Sequence, residues 1–404
     1  MDFTPAERPR ILLYSHDSYG LGHLRRNLRL AESFSSSCPV TPATLIATGS
    51  GQAQSFPLPA GADTLKLPAI RKHPDGTYHA RSLGSDLVAT LKLRSRILAG
   101  AVEGFRPHFI LVDHVPAGLL GEMREALTTA RRLVPTAKLL VGLRDIIDTP
   151  SRVEAEWARD GAEDALKLYD RILVYGDAEF GTTARELDLE QRLPGRVIHT
   201  GYLAKPATAP GRDVPNLLVT CGGGGDGQAL FRTVAKWLAR DASPLPFRVD
   251  IVTGPMLSPR RREDLQQRLA KLPHDVHLHT FVPDMDERIA RASAIIAMAG
   301  YNTTVEILAS GRPSLLVPRE GPRMEQMLRA RMLARRGCCR MARIDDLDAR
   351  GLAAFTADAL SGAIQLTAPP DLNGLSRVCA EMQSLAAAGV PALHSRTGAL
   401  RDHG

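Results

Sequence analysis

Short apolar segments alternate with segments of helical periodicity along most of the chain. Continuous apolar runs predict strands buried on both faces, as in a parallel sheet covered by helices. The sequence therefore predicts an α/β protein with parallel sheets. The candidate strands are residues 11–15, 43–48, 109–113, 138–143, 171–175 and 196–200 in the first half, and 217–221, 247–253, 276–281, 294–298 and 314–317 in the second.

A segment rich in proline and small residues divides these strands into two sets. Residues 203–215 contain three prolines, as in an interdomain linker. We expect one doubly wound domain at 1–202 and another at 216–404, with the last helix free to return to the first domain. A chain of 404 residues is long enough for two domains. Ligands would bind in the cleft, at the carboxyl ends of the strands.

Composition narrows the function classes. The net charge of +7 allows an anionic partner, but aromatic residues make up 5% of the chain and no basic run contains them, which disfavours nucleic acid. Residues 1–10 lack the apolar core of a signal peptide, and no apolar run reaches membrane-spanning length. The five cysteines match neither a disulfide framework nor a zinc spacing. We expect a cytoplasmic protein without a metal or a cofactor.

The segment after the strand at 294–298 carries the strongest chemical signal. Gly300 ends the strand, and Asn302, Thr303 or Thr304 can cap the following helix. Free backbone N–H groups at a helix N-terminus bind phosphate. Glu306, expected in the first turn, supplies a carboxylate suited to ribose hydroxyls. Phosphate and ribose together indicate a nucleotide.

A glycine-rich loop follows the first strand of each half. The segment 20–23, Gly-Leu-Gly-His, allows close ligand approach at Gly22 and places His23 at a helix N-terminus, where it is either a base or a capping residue. Gly222, Gly223 and Gly224 lie in a longer run that fits a diphosphate cradle as well as a dinucleotide motif. His114 and Arg144 each end a strand, and are either acceptor-side groups or structural partners.

The chain resembles the GT-B glycosyltransferases, in particular the group that includes the UDP-N-acetylglucosamine transferase of peptidoglycan synthesis. The resemblance is strongest over 280–326. It implies that the backbone at Phe281 and Val282 meets uracil and that Glu306 holds the ribose. It also implies that Glu325 and Gln326 contact the sugar, although the family has Gln at both positions.

This resemblance implies two Rossmann-like domains facing each other across a cleft. It also implies an inverting, metal-independent transfer of a hexosyl or N-acetylhexosaminyl group from a UDP-sugar. Lys205, where the family has Arg, would neutralise the diphosphate together with backbone N–H groups. His23 would deprotonate the acceptor hydroxyl, or would orient it while Asp17 or Asp145 acts as the base.

Two alternatives to a transferase remain open. The Gly-Leu-Gly-His segment also resembles the UDP-sugar hydrolases of the pseudaminic acid pathway, in which the histidine would activate water. A binding protein without turnover is a further alternative. The acceptor is a small molecule, a lipid-linked molecule or a glycan. The basic, partly amphipathic segment 71–105 would suit peripheral contact with the inner face of a membrane, or is an ordinary helix with a basic face.

Overall fold

Two parallel sheets form the framework of the molecule. The computed structural model describes residues 8–17, 21–73, 77–81, 83–84, 86–180, 183–206, 215–240, 242–282 and 284–387. The strands of the first sheet are β1 Arg10–Ser15, β2 Ala43–Thr48, β3 Ala62–Lys66, β6 Phe109–Asp113, β7 Lys138–Arg144, β8 Arg171–Tyr175 and β9 Val197–His199. Those of the second are β10 Asn216–Thr220, β11 Arg248–Val252, β12 Val276–His279, β13 Ala294–Ala297, β14 Ser314–Leu316 and β15 Arg340–Met341. Strands β4 Ile70–Lys72 and β5 Tyr78–Ala80 form a separate antiparallel hairpin.

Helices cover the sheets. They are α1 Gly22–Ser37, α2 Leu87–Phe105, α3 Arg124–Leu133, α4 Pro150–Asp160, α5 Ala162–Lys167, α6 Thr183–Glu186, α7 Leu189–Arg192, α8 Gln228–Leu238, α9 Pro259–Leu269, α10 Met285–Arg291, α11 Tyr301–Ser310, α12 Glu325–Arg335, α13 Ala349–Leu360 and α14 Gly374–Ala387. None of the described helices combines the length and apolarity needed to cross a bilayer.

Both sheets have the strand order of doubly wound folds. The orders are β3-β2-β1-β6-β7-β8-β9 and β12-β11-β10-β13-β14-β15, and the first strand of each half lies centrally. Because β6 pairs with β1, and β13 with β10, the loops after these strands meet at one edge of each sheet, where such folds bind ligands. The predicted class of two Rossmann-like domains with parallel sheets is confirmed.

The last helix packs on the first. Met382 and Leu385 of α14 share a hydrophobic core with Leu24 and Leu28 of α1, and Leu203 forms a bridge with Asn373. Of the predicted linker, residues 207–214 lie outside the described part of the chain. The chain therefore returns to its N-terminal half after completing the second sheet.

The segment 71–105 is not one continuous helix. It begins in the β4–β5 hairpin and continues into α2. Arg94 of α2 is fully buried and pairs with Glu122 at 2.5 Å, whereas Val88 and Leu93 are exposed. Part of the predicted basic face is therefore internal and holds α2 against the segment that precedes α3.

Candidate active site

A cleft of about 240 Å³ lies where the two sheets face each other. Its walls combine the loop after β1, the glycine loop after β10 and the start of α11. Most of the predicted site residues line this cleft. They are Gly22, His23, Arg144, Gly222, Gly223, Gly224, Phe281, Val282, Gly300, Asn302, Thr303, Glu325 and Gln326.

The N-terminus of α11 opens into the cleft. The helix begins at Tyr301 with Gly300 as N-cap and no side-chain cap, so the expected capping by Asn302, Thr303 or Thr304 was wrong. Asn302 instead donates to the carbonyl of Gly22 at 2.9 Å, which ties the two domains together. Thr304 is fully buried and lies outside the cleft lining. The uncapped N–H groups of the first turn remain available to an anion.

The Gly222–Gly225 loop forms the wall next to the start of α11. Gly222 and Gly224 have φ values of +60° and +87°, a left-handed conformation that glycine adopts without strain. A Cβ on Gly224 would lie 1.9 Å from the carbonyl oxygen of Thr253. These glycines therefore fix a backbone path beside α11 that a larger residue could not follow, as a diphosphate cradle requires.

His23 is held by a buried carboxylate. Its Nδ1 lies 2.5 Å from Oδ2 of Asp113, and Arg26 donates two hydrogen bonds to the same carboxylate, at 2.7 and 2.8 Å. Burial opposes ionisation of Asp113, but Arg26 and His23 outweigh it and hold its pKa far below the usual value. An ionised Asp113 fixes the tautomer with the proton on Nδ1, which leaves Nε2 as the basic nitrogen.

The sequence alone did not indicate this role of Asp113, the last residue of β6. The signal was the strand order: β6 lies beside β1, so its last residue meets the loop that carries His23. The order of strands in a parallel sheet cannot be read from the sequence. The role of Arg26 could not be predicted either, because its partner Asp113 lies 87 residues further along the chain.

The two carboxylates proposed as alternative bases lie outside the cleft lining. Asp17 is buried and accepts hydrogen bonds from Ser15, Thr48 and the backbone N–H of Leu24, so it positions the start of α1. Asp145 is fully buried in an ion pair with Arg329 of α12, at 2.6 Å. Both carboxylates are occupied by structural partners, and neither is placed to accept a proton from a substrate.

Glu306 lies deeper than expected. It is in the second turn of α11, and its Oε1 accepts hydrogen bonds from Arg25 at 2.8 Å and Arg29 at 2.7 Å, both from α1. Its buried Oε2 accepts none from the described residues. Glu306 does not line the cleft, however, and borders a small separate cavity together with Lys205. Lys205 pairs with Glu32 at 2.7 Å and lines a neighbouring cavity, away from the cleft.

The remaining donor-side residues close the ends of the cleft. Phe281 is 41% exposed and meets Phe56 of the first domain edge-on, with ring centroids 5.7 Å apart. Glu325 is buried, with Oε1 bonded to Arg319 at 2.6 Å and Oε2 without a partner among the described residues. Arg319 holds the pKa of Glu325 below its usual value against the opposing effect of burial.

His114 and Arg144 belong to a second cavity beside His23. Arg144 lines both cavities and His114 only the second. Burial, followed by the charge of Arg144, lowers the pKa of His114 well below its usual value, so it is neutral near pH 7. The described residues contain no group of three or more His, Cys, Asp or Glu side chains arranged to hold a metal ion.

Comparison with known proteins identifies relatives of both halves. Residues 216–374 match the glycosyltransferase family 28 C-terminal domain. The UDP-N-acetylglucosamine–N-acetylmuramyl-(pentapeptide) pyrophosphoryl-undecaprenol N-acetylglucosamine transferase of Paramagnetospirillum magneticum is 26% identical over 280 residues. That alignment covers 66% of this chain and 64% of the relative, so the chain matches slightly less than two thirds of the relative's length.

Solved structures share the whole fold. The calicheamicin glycosyltransferase CalG4 superposes with a TM-score of 0.60 at 17% identity, covering 95% of this chain and all of CalG4 (100%). A UDP-N-acetylglucosamine 2-epimerase from Listeria monocytogenes gives a TM-score of 0.62 at 11% identity, covering 93% of this chain and 96% of the epimerase. The chain has the GT-B fold and resembles the GT-B glycosyltransferases.

Proposed function

We propose that the protein transfers a sugar from a nucleotide-sugar donor, UDP-linked, to an acceptor hydroxyl. The observation that carries this proposal is the convergence of a carboxylate-oriented histidine, His23, with two backbone anion sites in one cleft. Two comparisons support the same activity. Residues 216–374 match the glycosyltransferase family 28 C-terminal domain, and the chain is similar to the N-acetylglucosamine transferase of Paramagnetospirillum magneticum.

The donor would lie across the C-terminal half of the cleft. The diphosphate would meet the start of α11 and the Gly222–Gly225 loop, since both offer backbone N–H groups. The base would meet the backbone at Phe281 and Val282. The ribose would donate to the free oxygen of Glu306 once the side chain of Arg25, which lines the cleft and pairs with Glu306, moves aside. Glu325 has an unpaired oxygen at the cleft wall and would accept from a sugar hydroxyl.

His23 would then act as general base. The acceptor hydroxyl gives its proton to Nε2, its oxygen forms a bond to the anomeric carbon, and the bond from that carbon to the β-phosphate oxygen breaks. The electron pair leaves with the nucleoside diphosphate. Attack opposite the leaving group inverts the anomeric configuration. Backbone N–H groups and the α11 dipole would stabilise the departing charge, so the transfer would be metal-independent.

A donor panel tests the proposal. Release of nucleoside diphosphate is measured with UDP-, dTDP-, CDP- and GDP-sugars, with and without candidate acceptors, for the wild type and for His23→Gln. Acceptor-dependent release from one donor that falls by about 10² or more in His23→Gln supports a transferase. Equally rapid release of free sugar without an acceptor would identify a hydrolase. Tight binding of a donor without any release would identify a binding protein.

A further inference from the structure

A second cavity, of about 410 Å³, opens beside His23. Its walls come from the β4–β5 hairpin, from α4, from the ends of β6 and β7, and from residues 319–325 of the C-terminal half. It shares His23, Arg144, Asp226, Arg319 and Glu325 with the donor cleft. A ligand in this side pocket would therefore lie beside both the imidazole and the donor.

Most of the charges around the side pocket neutralise one another. Arg159 pairs with Asp160 at 2.7 Å and Arg152 with Asp148 at 3.4 Å, and further pairs involve the C-terminal half. Those are Arg319 with Asp226 and Glu325, and Arg323 with Glu156 and Asp148. Because these charges are already paired, none of them requires a ligand for neutralisation.

Two cations of the side pocket lack a carboxylate within ion-pairing distance among the described residues. Nε of Arg144 is buried without an acceptor, and one guanidinium nitrogen lies 3.2 Å from Nε2 of His114. Burial lowers the pKa of Arg144 to about 10, against the opposing charge of Glu325. Lys72, on the hairpin, has its ammonium 5.2 Å from the ring centroid of Tyr78. Burial, then the charge of Arg323, lowers the pKa of Lys72.

Unpaired cations in a partly dry cavity are costly unless an anion joins them. Apolar side chains form part of the wall: Leu119, Ile147 and Trp157 line the side pocket and are otherwise buried in the core. A cavity of this size encloses a small organic molecule. The wall thus combines a place for one anionic group with a surface for an apolar body.

We propose that the side pocket binds a compact acceptor carrying one anionic group, a carboxylate or a phosphate, which Arg144 and Lys72 hold. The body of the acceptor packs on Trp157 and Ile147, and its hydroxyl faces His23. This assignment rests on the proposed transferase function for the role of the ligand, but binding of the anion does not depend on turnover.

Binding of small aromatic anions tests the assignment. Isothermal titration at saturating UDP, and again without UDP, compares 4-hydroxybenzoate and 4-hydroxyphenyl phosphate with the neutral isostere 4-hydroxybenzamide. The variants are Arg144→Gln and Lys72→Gln. Lys72 lies on the surface hairpin, so its replacement leaves the core intact. Arg159→Gln is the matched control, because Arg159 lines the same cavity but is paired with Asp160.

We expect both anions to bind more tightly than the amide. We also expect Arg144→Gln and Lys72→Gln to lose this preference for the anions. In Arg144→Gln the affinity for the anions should fall by about tenfold or more, and UDP binding should be unchanged in both variants. A preference for the carboxylate would indicate a soluble acid as acceptor, and a preference for the phosphate a phosphorylated one. Either result supports the assignment.

Three results would overturn it. The amide could bind as tightly as the anions, or both variants could retain the preference as Arg159→Gln does. Arg144→Gln could also weaken UDP binding as much as anion binding, which would move Arg144 to the donor diphosphate. Failure of the wild type to bind any nucleotide would instead refute the proposed function, and the titrations without UDP would still decide the anion site.

Discussion

Arg329→Met should destabilise the protein strongly, because it leaves a buried carboxylate without its cation. Asp145 and Arg329 are both 0% exposed. They form two hydrogen bonds, at 2.6 and 2.8 Å, across the boundary between the two halves. After the change, the side-chain hydroxyl of Tyr202 at 3.1 Å still contacts Asp145.

Breaking one side of a buried ion pair costs about 3–5 kcal/mol. At roughly 2–4 °C per kcal/mol for a domain of 150–250 residues, the melting temperature should fall by roughly 6–20 °C. The double variant Asp145→Leu/Arg329→Met should recover most of the loss, since no charge is left unpaired. Arg331→Met, an exposed change on the same helix, should shift stability by less than about 0.5 kcal/mol.

Urea unfolding and calorimetry of the four proteins measure these differences. If Arg329→Met is no more destabilising than Arg331→Met, the buried pair does not hold the two halves together. Asp145→Asn adds a catalytic readout. A folded variant with near-normal turnover fits a structural Asp145, whereas a loss of about 10² in kcat at unchanged stability would restore its role as a base.

Three further predictions follow from the site. Gly224→Ala should destabilise the second domain by about 2 kcal/mol or more and weaken UDP binding, because its Cβ would collide with Thr253 at a positive φ. Gly223→Ala is the control: the nearest atom to its Cβ is 3.4 Å away, so UDP titration should show little change. Glu306→Gln should abolish the preference for UDP over 2′-deoxy-UDP, with UDP binding weaker by about tenfold, and a preserved preference would remove the ribose contact. The depressed pKa of Asp113 implies that its ionised carboxylate stabilises the fold above the unfolded pKa of about 3.9, and that this stabilisation is lost as pH falls further. The difference in free energy of unfolding between wild type and Asp113→Asn should therefore narrow only below about pH 4.

The parallel sheets could be predicted because their strands are continuous apolar runs. All eleven predicted strands correspond to strands in the structure, with ends that differ by at most two residues. The hairpin β4–β5 was missed because its strands have three residues each, too few for a periodic signal. Strand β3 was missed because residues 62–66, at the sheet edge, are exposed or only partly buried and contain no apolar run.

The glycine loops and the α11 terminus could be located because each follows a predicted strand. The ion pairs could not, since they depend on the docking of two distant segments. Arg29 and Glu306 are 277 residues apart, and Arg329 and Asp145 are 184 apart. The sequence alone does not show whether an aspartate is a catalytic base or the partner of a buried arginine. Asp145 was therefore a candidate base.

The measurement that tests the central claim most directly is the comparison of turnover and donor binding in His23→Gln. Single-turnover release of nucleoside diphosphate gives the chemical step, and titration with UDP gives binding. The account predicts that the chemical step falls by about 10²–10⁴ while UDP affinity changes by less than about threefold. Normal turnover, or a parallel loss of UDP binding, would contradict the role of His23 as the base.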